Sequence, residues 1–104
     1  MPLTGKQKSV LRSIGQLLEP VVHIGKEGVS EAAVVTTDDV FRRRELIKVR
    51  VLKGAPEDAD ATAVTLAAAT HSDIVGRVGF TFLLYRPNPT LKERIALPPA
   101  KNME

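Results

Sequence analysis

A chain of 104 residues, 43% of them hydrophobic, supports a single domain with a modest core. It has no cysteine, which excludes disulfides and thiolate zinc sites. No apolar run approaches the roughly 20 residues of a membrane helix, and the first residues lack the apolar stretch of a signal peptide, so a cytoplasmic location is expected. The formal net charge is +3, and its placement matters more than its size. Lys6, Lys8, Arg12 and Lys26 stand in the first third, where acids are few. Arg42, Arg43, Arg44, Lys48, Arg50 and Lys53 dominate the middle, and Glu57, Asp58 and Asp60 follow. A basic side and an acidic side on one small domain favour a polyanionic partner. Aromatic residues make up 4% of the chain, too few for a broad base-stacking platform, so nucleic-acid binding would be directed by charge at the backbone.

In chain order, Thr4 caps a first helix that reaches about Leu18. Val10, Leu11, Ile14, Leu17 and Leu18 have helical spacing, and Lys6, Gln7, Arg12, Ser13 and Gln16 form the wet face. Pro20 ends the helix and opens a strand over residues 21–24. Ser30 caps a second helix running to about Arg44, with Val29, Ala33, Thr36, Val40 and Phe41 as its inner stripe. Arg42, Arg43 and Arg44 sit at its C-terminal end, where the dipole favours cations; capping accounts for one or two of them, not three. Residues 45–52 form the clearest strand. Ile47, Val49 and Val51 point to the core, while Lys48 and Arg50 point the other way, onto a basic face or past a covering helix.

Asp58 or Asp60 caps a third helix ending near Thr70 or His71. Ala63, Leu66, Ala67 and Thr70 face inward, and Val64 and Ala68 widen that face. Residues 74–78 and 80–85 read as two strands joined around Gly79, the second apolar enough for a sheet interior. From Thr90 the chain is expected extended and partly mobile, with residues 99–104 a flexible tail beyond a domain of residues 1–98. The order is α-β-α-β-α-β-β, an α/β domain. Its two βα crossovers imply parallel neighbours, and its last two strands an antiparallel pair.

The stretch around which the chain is organised joins the first strand to the second helix: Gly25-Lys26-Glu27-Gly28. Two glycines allow a sharp turn and let a ligand approach bare main chain. The helix start beyond offers unpaired N–H groups and the positive end of a dipole, which suits phosphate. A side chain at Gly28 would block that approach. The same residues also fit an ordinary βα turn with two convenient glycines. His23, just ahead of the loop, either touches a phosphate or is a strand-end histidine with no role. The loop does not supply a G-x-x-x-x-G-K-[ST] phosphate loop, and the sequence contains no G-x-S-x-G and no H-E-x-x-H. No enzyme activity, cofactor or metal is expected.

Motifs spread over nearly the whole chain carry a resemblance. They are Lys6-Gln7-Lys8, Glu19-Pro20-Val21-Val22, Ile24-Gly25-Lys26-Glu27-Gly28-Val29-Ser30, Glu45-Leu46-Ile47-Lys48-Val49, Val78-Gly79, Leu84-Tyr85-Arg86-Pro87, Glu93-Arg94-Ile95 and Leu97-Pro98. In this order and spacing they resemble the CRM-domain family, in particular its stand-alone bacterial YhbY-type members. The resemblance implies a four-stranded mixed sheet with packed helices, similar to the C-terminal domain of translation initiation factor three. It also implies RNA binding, with ribosomal RNA in large-subunit precursors as partner, and a G-x-x-G loop likened to that of KH domains. Gly25, Lys26, Glu27 and Gly28 would then contact RNA backbone, with Lys6, Lys8 and Arg12 extending the surface and Arg42, Arg43 and Arg44 as further candidates. Three departures stand out. Phe80 replaces an expected basic residue, which removes a charge or supplies a stacking ring. Glu27 puts a negative charge in the loop, and the triple arginine is richer than usual. The competing reading is a protein-interaction module that docks on a ribosomal protein or assembly factor through residues 40–44.

Overall fold

The computed structural model describes residues 3–98. Three helices, α1 (Gly5–Gly15), α2 (Glu31–Phe41) and α3 (Ala59–Thr70), alternate with strands β1 (Val22–Ile24), β2 (Leu46–Val51), β3 (Asp73–Val78) and β4 (Thr81–Tyr85). Each helix starts at a side chain that accepts from an otherwise unpaired backbone N–H. Thr4 accepts from Gln7 N at 3.1 Å in a full capping box, Ser30 from Ala33 N at 3.1 Å, and Asp58 from Ala61 N at 2.8 Å. Of the two aspartates considered for α3, Asp58 is the cap.

The strands form one mixed sheet in the order β1-β2-β4-β3. β1 and β2 are parallel, while β2–β4 and β4–β3 are antiparallel. The second crossover therefore does not give parallel neighbours, because β4 inserts between β2 and β3. The reason lies in composition. Phe82, Leu83, Leu84 and Tyr85 are all buried and need both faces covered, whereas β3 carries Asp73, Gly76 and Arg77 and suits an edge.

Side chains alternate between two cores. On one face α2 and α3 close over Val22, Ile24, Ile47, Val49, Val51, Phe82 and Leu84. On the other, α1 covers Leu46, Val75, Leu83 and Tyr85, chiefly through Leu11. α1 lies very close to the sheet: a Cβ at Gly15 would overlap the Leu83 side chain, which explains a glycine inside a helix.

Several details differ from the periodicity. α1 stops at Gly15, and 3₁₀-type turns (Leu17 N to Ile14 O, Leu18 N to Gly15 O) lead out of it, which leaves Leu17 86% exposed. Gln7, read as wet, is buried because its side chain completes the capping box and donates to Pro98 O at 2.9 Å. In α2 the inward threonine is Thr37, not Thr36; its hydroxyl donates to Ala33 O at 2.8 Å, so the buried group is satisfied. In α3, Val64 and Ala68 are exposed, and Ala59 and Thr62 take the inner positions.

The segment after β4 has no helix or strand, yet it is tied to the domain. The carboxylate of Glu45, 2% exposed, accepts from Asn88 N at 2.7 Å, Ile95 N at 2.9 Å and Arg94 Nε at 2.9 Å. Ile95 and Leu97 pack on the α1-side core. Arg94, Ile95 and Leu97 therefore tie to the domain a stretch expected to be extended and partly mobile. The tail expected over residues 99–104 lies outside the described residues.

Candidate functional site

The Gly25-Lys26-Glu27-Gly28 loop is a hydrogen-bonded turn, with Gly28 N donating to Gly25 O at 2.9 Å. Gly28 has φ +66, and a Cβ there would meet Pro56 Cγ at 3.0 Å. Its missing side chain is thus required by the turn and by the neighbouring β2–α3 loop before any ligand is considered. Gly25 differs. It has no positive φ, and a Cβ would make an ordinary 3.8 Å contact with Leu52. Lys26 and Glu27 stand exposed at the tip.

β1 ends at this loop. Its partner β2 runs parallel, so both strands deliver their C-terminal ends to the same edge of the domain. His23 pairs with Arg50, Arg50 with Thr81, and Thr81 with Val78, which makes one row across all four strands. Lys48, Leu83 and Gly76 form the next row. All of these point to the face that α1 covers only in part. Arg12 reaches from α1 across that face, its Cδ 3.0 Å from the position a Cβ on Gly76 would take. Arg12, Lys48, Thr81 and Val78 share one shallow depression. Lys8, one helical turn before Arg12, lies on the same side of α1. His23, Arg50 and Arg12 are exposed, and Lys48 is half-buried.

Among the described residues the ion pairs use Arg42, Arg77, Arg86 and Arg94. Lys8, Arg12, Lys26, Lys48 and Arg50 have no carboxylate within ion-pair distance there. Uncompensated cations on one open face set up a positive field that attracts a polyanion.

The expected site residues fall into two groups. The loop, Lys8 and Arg12 border the basic sheet face. Arg42, Arg43 and Arg44 do not. α2 starts at the loop and runs back about 16 Å along the sheet, so the three arginines emerge at the opposite end. Arg42 is paired with Asp39 at 3.3 Å. Arg43 and Arg44 instead stand near Leu18, Leu91 and Ile95. The apolar half of the 40–44 segment read as a protein-docking surface is not a surface, because Val40 is 8% exposed and Phe41 is fully buried. Lys6 lies exposed on α1. Lys48 and Arg50 were not among the expected site residues; their signal was the alternation of β2, whose non-core positions are both cationic. His23, on β1, was read either as touching a phosphate or as a strand-end histidine with no role.

Arg86, part of the Leu84-Tyr85-Arg86-Pro87 motif, has a structural task. It donates to Asp38 at 2.9 Å and to Thr70 O, the end of α3, at 2.7 Å, and its guanidinium lies 4.6 Å from the Phe41 ring centroid. Among the described residues no cluster of His, Asp and Glu could hold a metal ion, and no helix is long and apolar enough to cross a membrane.

These features define a small α/β domain with a glycine turn and a cationic sheet face at one edge. The sequence matches the CRS1 / YhbY (CRM) domain over residues 3–86, and the chain belongs to that family. It is 41% identical to "Probable RNA-binding protein MJ0652" of Methanocaldococcus jannaschii, over 98% of this chain and 77% of that one. It is 38% identical to "Probable RNA-binding protein YqeI" of Bacillus subtilis, over 92% and 99%. The solution structure of SAV1595 from Staphylococcus aureus superposes with a TM-score of 0.79 at 41% identity, covering 92% of this chain and 99% of that one.

Proposed function

We propose that this protein is a non-enzymatic RNA-binding factor that grips the phosphate backbone with the Gly25–Gly28 turn and the cationic sheet face beside it. Its target is ribosomal RNA in large-subunit precursors, and its setting is ribosome assembly in the cytoplasm. One observation carries the reading: Arg12 from α1 lies beside Lys48, Arg50 stands in the next row of the same sheet face, the turn with Lys26 follows the strand paired to them, and among the described residues none of these cations is in an ion pair. The names of the relatives support RNA as the polyanion. Binding to a phosphate backbone releases counterions, so log affinity should fall by about 0.7–0.9 per contact for each unit of log salt.

The test is a salt titration of binding to ribosomal RNA fragments, with crosslinking and mapping in cell extract. A steep slope and crosslinks in large-subunit RNA are expected. Salt-independent binding would remove the backbone grip. Crosslinks confined to other RNAs would remove the ribosomal assignment.

A further inference from the structure

Phe80 is 71% exposed, yet its backbone is fixed. It is the second residue of a two-residue hairpin turn between Val78 and Thr81, and Gly79, the first, has φ +59. Phe80 O accepts from Val51 N at 2.8 Å, which ties the turn to the end of β2. Arg77 braces the turn from below, donating to Gly79 O at 2.9 Å while it is paired with Asp60 on α3. A large apolar ring held in water by a rigid turn loses little conformational freedom when a flat partner covers it.

The surroundings say what that partner is. Phe80 borders an open cleft of about 850 Å³ between this turn and the β2–α3 loop. Arg50 and Lys53 line one side and are free of ion pairs among the described residues; Glu57, Asp58 and the Asp60–Arg77 pair line the rest. The carboxylates of Glu57 and Asp58 disfavour phosphate there, which favours a nucleic-acid strand that keeps its backbone on the Arg50 side and turns a base toward the ring. Arg50 is also in the His23 row, which joins the cleft to the cationic face.

We propose that Phe80 stacks an unpaired RNA base at the mouth of this cleft while Arg50 and Lys53 hold the flanking phosphates. This rests on the RNA-binding reading and makes it specific: the strand at this edge is single-stranded. A base inside a duplex cannot reach the ring face.

The experiment compares wild type with Phe80→Leu, Phe80→Ala and Phe80→Trp. Each is titrated with a short single-stranded RNA carrying 2-aminopurine and with the duplex form of the same sequence. Phe80→Leu and Phe80→Ala should weaken single-strand binding roughly 5- to 150-fold, the range of one base–aromatic stack, and abolish quenching of the 2-aminopurine. Phe80→Trp should retain both, and duplex binding and the salt slope should not change. Unaltered single-strand affinity in Phe80→Leu, or equal losses on single strand and duplex, overturns the stacking proposal while leaving RNA binding intact. Failure of the wild-type protein to bind either RNA, with binding to a protein instead, overturns both. Thermal unfolding of each variant should match wild type, as befits a solvent-exposed ring.

Discussion

Gly28 backs onto Pro56: a Cβ on the glycine would stand 3.0 Å from the proline Cγ, and its φ of +66 already disfavours any side chain. Gly25, at the other end of the same turn, has neither constraint. The two glycines therefore answer to different structural demands. Gly28→Ala should lower stability by about 1–2 kcal/mol, seen as a lower Tm. Gly25→Ala should leave Tm unchanged and weaken RNA binding, because a methyl group there would keep a phosphate from the main chain without straining the turn. Full RNA affinity in Gly25→Ala would remove close backbone approach from the mechanism.

Glu45 should make the domain acid-sensitive. Burial alone would raise its pKa, but the Asn88 and Ile95 N–H groups and the Arg94 guanidinium outweigh burial and hold it below its ordinary value of 4.5. A lowered folded-state pKa contributes stability that is present above the ordinary value and lost as pH falls through the folded one. Denaturant unfolding from pH 7 downward should show this loss, and Glu45→Gln should flatten it. Glu45→Ala should cost about 3 kcal/mol at pH 7, because it leaves two backbone donors and Arg94 without their acceptor.

Lys26→Ala, Lys48→Ala and Arg50→Ala should each reduce the salt slope of RNA binding by about 0.7–0.9. Arg43→Ala and Arg44→Ala, at the far end of α2, should change it less. A larger effect from the far arginines, measured on the same RNA, would move the interface to the other end of the domain.

Arg86→Lys should lower stability by about 1–2 kcal/mol, since an ammonium cannot hold Asp38 and Thr70 O while lying flat on Phe41. RNA affinity of the folded fraction should be unchanged. A Tm equal to wild type would show that these contacts contribute little.

Much was legible in the sequence because it is local. Thr4 and Ser30 announce their helices by local cap chemistry, and the third helix by Asp58 or Asp60, between which the structure chose Asp58. The alternation of β2 separates core from cation by the pleat alone. Tertiary structure decided what local pattern cannot encode. It inserted β4 between β2 and β3, buried Glu45 as the clasp for residues 88–95, and assigned Gly28 to Pro56. It also brought Arg12 beside Lys48 while carrying Arg42, Arg43 and Arg44 to the opposite end. Each of these depends on which distant segments pack together, and packing joins residues by shape and burial, not by their distance along the chain.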